Sequence, residues 1–301
     1  MSFVPMTTLM RHAQDHHYAV GYFEAWNVES LLAVVDAAED LNSPIIIGFS
    51  GMFVDNPARR RPEDIYHYGA LGKRVAERAK VPVALLLNEA DHLPILVNGL
   101  KAGFNAVMYV KEHATLEHLV EVNQYLVQTA HYCEAAVEAE LGELPTADVA
   151  TGKMSSGSLT DPDQAAWFVK ETGVDALAVA IGNVHLLEGA KSGVDFKLLQ
   201  ELRRKVPVPL VLHGGTGVAP ADFAKVIDLG IAKVNVGTVL KRVFINTLKQ
   251  QLGADVSKVD PHDLVGRGGP ADVLMAAREA MSREVAGFLR LFRSENQAFK
   301  V

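Results

Sequence analysis

Two histidines close consecutive apolar runs. Val174 to Ile181 leads into Gly182-Asn183-Val184-His185, and Val208 to Leu212 leads into His213-Gly214-Gly215-Thr216-Gly217. Imidazoles at neighbouring strand ends, with carboxylates close by, make a donor set for a divalent metal. A lone histidine there is more often a hydrogen-bonded core residue; two on adjacent strands favour the metal. The acids come from other apolar runs: Glu24 after Tyr18 to Phe23, Asn88-Glu89 after Val81 to Leu87, and Glu138 and Glu140 within Glu134 to Leu141. A second chemistry is written in glycines. The turn His213 to Gly217 is followed one run later by Asn235-Val236-Gly237-Thr238 entering a helical stretch. Glycines let backbone N–H groups approach an anion and a helix N-terminus favours it, so Gly214, Gly215, Thr216, Asn235, Gly237 and Thr238 suit a phosphate. The bland alternative is a tight turn with a capping threonine.

The elements that position these residues alternate regularly. Eight short runs rich in Val, Ile, Leu and Ala span 18–23, 44–49, 81–87, 104–110, 134–141, 174–181, 208–212 and 231–236, each followed by a helical stretch. Several are too continuous for half-exposed strands and suit strands covered on both faces. Helix starts are marked by Asn27, by Asp161-Pro162 and by Ala219-Pro220, and Gly230 marks a stop. Eight strands alternating with helices predict a parallel sheet closed into a (β/α)₈ TIM barrel, one domain over residues 1–301. An N-terminal helix over 5–16 is placed to cap the barrel, and 270–293 forms an extra C-terminal helix. In such barrels the catalytic groups sit at the carboxyl ends of the strands, with phosphate after strands seven and eight. The stretch Gly142 to Leu159 is long, polar and aperiodic, and reads as an active-site lid.

Bulk properties narrow the classes. A chain of 301 residues with 49% hydrophobic residues can bury one large core. A net charge of −7 and the absence of a basic block argue against a nucleic-acid partner. Neither a signal-like N-terminus nor a membrane-length apolar run is present, and one cysteine, Cys133, permits no internal disulfide. A reducing cytoplasm is therefore expected, with Cys133 a buried structural thiol.

The segments Val137 to Gly142, Thr172 to His185, Leu210 to Gly217 and Lys233 to Thr238 resemble class II, metal-dependent fructose-bisphosphate and tagatose-bisphosphate aldolases. The likeness runs from Tyr18 through the last helix, and the motifs of strands six, seven and eight are specific in combination. The resemblance implies a zinc ion, with manganese or magnesium as the harder alternatives, polarising the ketone of a phosphorylated sugar. It makes His185 and His213 zinc ligands and Glu140 a carboxylate able to approach the metal. It places the phosphate end of the substrate at Gly182, Gly214, Thr216, Asn235 and Thr238. It also implies a homodimer or homotetramer.

The chain departs from that family at three places. Where the family has a catalytic aspartate beside its third zinc histidine, this chain has Asn88-Glu89. Asn88 cannot act as a carboxylate base, whereas Glu89 can ligate a metal in a His₂Glu set. Asp91-His92 would serve only with a three-residue shift. Glu24 stands for the family's strand-one asparagine, and Val110-Lys111-Glu112 for its strand-four Asp-x-Ser. The lid signature is missing, and Leu186 replaces a glycine. The favoured reading is an aldolase-type lyase on a phosphorylated ketose without strict fructose-1,6-bisphosphate specificity, its base Glu24 or Glu89. The alternatives are a metal-dependent isomerase, epimerase or decarboxylase on a sugar phosphate or sugar acid, and a non-catalytic sugar-phosphate binder. Trp26, Met52 and Phe53 are candidates for reading the aldehyde half, while Lys111 and Lys153 read as solvated surface lysines.

Overall fold

A computed structural model of the chain describes residues 2–142, 157–183, 193–252 and 259–300. Its eight strands are β1 (Val20–Ala25), β2 (Ile45–Ser50), β3 (Val83–Ala90), β4 (Ala106–Tyr109), β5 (Ala136–Leu141), β6 (Ala176–Val179), β7 (Leu210–Leu212) and β8 (Ile231–Val236). Each pairs in parallel with the next, and β1 pairs with β8, closing the barrel. The helices are α1 (Met6–Asp15), α2 (Val28–Asp40), α3 (Gly51–Val54), α4 (Ile65–Arg78), α5 (Leu93–Ala102), α6 (Leu116–Tyr132), α7 (Pro162–Thr172), α8 (Phe196–Lys205), α9 (Phe223–Asp228), α10 (Thr238–Leu252), α11 (Pro261–Leu264) and α12 (Val273–Leu291). Among the described residues, no helix is long and apolar enough to cross a membrane.

The strand sequences explain the layering. Alternate residues point inward and outward, and both sides are apolar because both are covered. Outward residues such as Phe23, Ile47, Leu85 and Leu87 pack under the helices. Inward residues such as Tyr22, Ile46, Ala84, Leu86 and Met108 fill the barrel, and Met6, Leu9 and Met10 of α1 close its bottom. The extra helix α12 buries Val273, Ala277, Met281, Val285 and Leu289. It is clamped to α2 by a bidentate Arg278–Asp36 pair at 2.6 and 2.7 Å.

The expected punctuation acts through specific bonds. Asn27 and Ser30 form a reciprocal capping box at the start of α2, and Asp161 accepts from Gln164 N at 2.8 Å. The helix after Ala219 opens with a 3₁₀ turn over Pro220–Asp222 before α9 begins. One expectation fails. Cys133 is exposed, because α6 runs to Tyr132 and Cys133 sits in the turn beyond it; burial begins only at Ala135. Glu134 belongs to that turn, at φ +56°, and not to the strand.

Candidate active site

His213 is the centre of the barrel mouth. It follows β7 and is 1% exposed. Its Nε2 lies 3.0 Å from Glu138 Oε1, while its Nδ1 lies 3.5 Å from Glu89 Oε1 and 3.3 Å from Glu140 Oε2. Glu138 and Glu140 are two apart on β5, so both point inward, one above the other. Glu89 arrives differently. The β3–β4 register shifts between Leu87 and Ala90, and Glu89 takes the left-handed region at φ +47°. That bulge re-aims a side chain which regular alternation would send outward, since Asn88 already points inward.

Beneath His213 lies a buried ion pair. Lys233 Nζ donates to Glu138 Oε1 at 2.9 Å and to Asn235 Oδ1 at 2.6 Å, and both Lys233 and Glu138 are 0% exposed. A register shift between β7 and β8 pairs Val211 with Lys233, leaving Ala232 as the extra residue. Burial alone would raise the Glu138 carboxyl; Lys233 and His213 outweigh it and hold it below its ordinary value. Burial would lower His213, but Glu140 and Glu138 outweigh it and push the imidazole up to about 10. A group so surrounded by carboxylates holds a cation, whether proton or metal.

The donor chemistry fits a divalent ion. Two ligands on one tetrahedral ion with bonds of ~2.1 Å stand about 3.4 Å apart, close to the spacing of His213 Nδ1 from each carboxylate. With an ion bound, Glu138 on Nε2 would fix the tautomer that leaves Nδ1 to ligate it. Among the described residues no set of three His, Cys, Asp or Glu closes into a metal centre. His185, the other expected ligand, lies outside the described residues, as do Lys153, Leu186 and most of the expected lid.

The glycine turns stand beside this cluster. Gly214 is at φ +63° and leads into a 3₁₀ turn over Gly215–Gly217. A Cβ on Gly215 would meet Val234 Cγ1 at 2.6 Å, so the turn lies tight on β8. Gly182, at φ +94°, has room for no side chain, because its Cβ would stand 2.5 Å from Gly193 O. Asn183 Nδ2 donates to His213 O at 2.8 Å, tying the β6 end to the β7 end. Thr238 opens α10 directly after Gly237.

Other expected residues separate. Glu24 is drawn to Lys241 Nζ at 2.6 Å, and burial raises its carboxyl against the pull of that lysine. Burial likewise raises Glu89, opposed by His213. Asn88 is 4% exposed, and its Oδ1 finds no partner among the described residues. Asp91 and His92 pair with each other at 2.8 Å at the exposed rim, where Lys111 stands 3.6 Å from Asp91. Trp26 and Phe53 line a cavity over β1 and β2, while Met52 is exposed. The sequence reading missed Lys233, Lys241 and Ser50. Lys233 carried a signal: a lysine inside the otherwise uncharged run Ile231 to Val236 breaks the pattern of a buried strand.

Comparisons with known proteins converge. The family model described as fructose-bisphosphate aldolase class-II matches residues 4–297. The probable fructose-bisphosphate aldolase of Bacillus subtilis is 34% identical, over 99% of this chain and 100% of its own. The fructose-bisphosphate aldolase of Thermus caldophilus is 33% identical, over 96% and 98%. The crystal structure of the YdjI aldolase from Escherichia coli K12 superposes with a TM-score of 0.82 at 30% identity, covering 99% of this chain and 100% of that one.

Proposed function

This chain belongs to the class II fructose-bisphosphate aldolase family, and on that footing we propose that it is a metal-dependent lyase cleaving or forming a carbon–carbon bond of a phosphorylated ketose. The observation that carries the reading is the placement of His213. Its Nδ1 faces Glu89 and Glu140, its Nε2 is held by Glu138, and the Gly214–Gly217 turn adjoins it. His213 and Glu89 would hold the ion, with Glu140 in reach and His185 as the further ligand. Zinc suits this set, and its two carboxylates also admit manganese or magnesium. When bound, the ion supplies Lewis-acid stabilisation of the charge developing on the ketone oxygen.

The chain's own groups do the rest. Gly182, Gly214, Gly215, Thr216, Asn235, Gly237 and Thr238 cradle the phosphate, because backbone N–H groups reach an anion where no side chain intervenes. Asn88 is an amide and takes no proton; its free Oδ1 accepts a hydrogen bond from a substrate hydroxyl. Glu24 then moves the proton. Its raised affinity for a proton and its contact with Lys241 Nζ suit a carboxyl that is protonated and deprotonated in turn. This division leaves Glu89 to the metal. A strict fructose-1,6-bisphosphate enzyme is not expected, because the strand-one and strand-three ends differ from the family's.

The test is a panel of ketose mono- and bisphosphates with zinc, manganese or magnesium, read by release of triose phosphate. Cleavage that is abolished by chelator and by His213→Ala is the expected result. No cleavage with any metal ends the lyase reading. If solvent deuterium then enters a substrate that stays whole, the isomerase or epimerase alternative takes its place, which the missing lid signature favours.

A further inference from the structure

A cavity of about 200 Å³ opens over the ends of β1 and β2, beside α3 and the start of α10. Its volume equals about six or seven waters at ~30 Å³ each, room for a short carbon chain. Glu24 on its wall feels the charge of Glu89, a member of the cluster around His213. Glu24 also packs so closely against β8 that a Cβ on Gly237 would stand 2.6 Å from Glu24 Oε2. Ser50, also on its wall, is the register partner of Asn88 at the end of β3. The metal donors come from β3, β5 and β7, and the phosphate turns from β7 and β8. Of the arc that these groups leave over, this cavity covers the ends of β1 and β2.

Its charges are balanced and committed. Lys241 Nζ is on Glu24 Oε1 at 2.6 Å and over the Phe53 ring at 3.9 Å. Arg59 pairs with Glu63 and donates to Phe53 O at 2.8 Å, while Tyr68 OH also donates to Glu63. Two cations meet two carboxylates, so a phosphate entering here would meet Glu24 and Glu63 without a surplus of positive charge. Hydroxyl groups face no such conflict, because each both donates to a carboxylate and accepts from an ammonium or guanidinium. Ser50 Oγ on the cavity wall and Asn88 Oδ1, on the register partner of Ser50, are buried and find no hydrogen-bond partner among the described residues. Buried groups of that kind are normally satisfied, by ordered water or by a ligand hydroxyl. Trp26, Phe49 and Phe53 give the C–H face of such a chain an apolar wall.

We propose that this cavity binds an uncharged, hydroxylated carbon chain, so that the substrate is a ketose phosphorylated only at the end held by β7 and β8. This rests on the lyase reading for the meaning of "substrate", but the binding claim is separable from it. The experiment is a calorimetric titration of the metal-loaded chain with two unreactive probes, a hexitol 1-phosphate and the matching hexitol 1,6-bisphosphate. The expected result is a preference of about tenfold or more for the monophosphate. Glu63→Gln removes one carboxylate and releases Arg59, and narrows that preference. Ser50→Ala weakens the monophosphate several-fold and leaves the binding of inorganic phosphate unchanged. Equal or tighter binding of the bisphosphate by the unaltered chain overturns the proposal, as does failure of both probes to bind. Selective binding of the monophosphate without cleavage of any ketose phosphate would overturn the lyase reading alone.

Discussion

Replacing Lys233 with methionine isolates the buried ion pair under His213. The side chains have similar volume, so the change removes charge and leaves little cavity. At 2.9 Å and an effective dielectric of 20, the attraction to Glu138 is about 6 kcal/mol. Burying each ion costs several kcal/mol, so the intact pair contributes little net stability. Removing one partner is different. Glu138, at 0% exposure, keeps its desolvation cost and loses its main counter-charge. The expected loss is about 3–5 kcal/mol. In a chain of this size that lowers the thermal midpoint by roughly 2 °C per kcal/mol, or about 6–10 °C. The double variant Lys233→Met/Glu138→Met removes both charges and should recover at least 1–2 kcal/mol of that, about the coupling expected of contacting residues. The assay is denaturant and thermal unfolding of the four members of the cycle. A loss below about 1 kcal/mol in Lys233→Met, or a double variant no more stable than the single, would refute the reasoning.

Three further outcomes follow from the same geometry. Glu138→Leu should weaken divalent-ion binding by about 10–100-fold, because Nε2 of His213 loses the acceptor that fixes its tautomer; competition with a chromogenic chelator reads this directly. Gly182→Ala should cost about 1–3 kcal/mol, since φ is +94° and the new Cβ would stand 2.5 Å from Gly193 O; unfolding midpoints check it. Asp272 caps α12 and accepts from the backbone N–H groups of Gly266, Gly268, Leu274 and Met275 at 2.9–3.1 Å. Burial alone would raise its carboxyl, but those donors outweigh it and lower it below the ordinary value. Its folded affinity for protons is therefore weaker than its unfolded one. Its stabilising contribution is complete above the unfolded value of about 3.9 and is lost as pH falls through the folded value. Asp272→Asn should flatten that acid limb of the midpoint-against-pH curve and lower the plateau by about 0.5–2 kcal/mol.

The barrel was legible in the chain because its signals are local. Runs such as Ile231 to Val236 and Pro44 to Phe49 map onto β8 and β2 to within a residue or two, since a strand covered on both faces needs continuous apolar sequence. Helix caps at Asn27 and Asp161 were readable for the same reason: the side chain and the N–H it satisfies lie within three residues. The site was legible only in part. His213, Glu140 and the glycine turn stand where strand-end reasoning puts them. Glu89 was identified by type, but its inward aim depends on a bulge and a positive φ that no spacing rule reports. Lys233 depends on a register shift between two strands, and its partner Glu138 lies 95 residues away in sequence. Cys133 misled because the strand after it begins at Ala136, two residues later than the run from Glu134 suggests.

The most direct measurement is anomalous diffraction from crystals grown with manganese or zinc. A single peak about 2.0–2.3 Å from His213 Nδ1 and from a Glu89 carboxylate oxygen is the expected result, with Glu138 on Nε2 as seen here. A peak on the Nε2 side of His213, or an ion bound elsewhere in the barrel with Glu89 turned away, would contradict the assignment of Glu89 as the ligand that replaces the missing histidine.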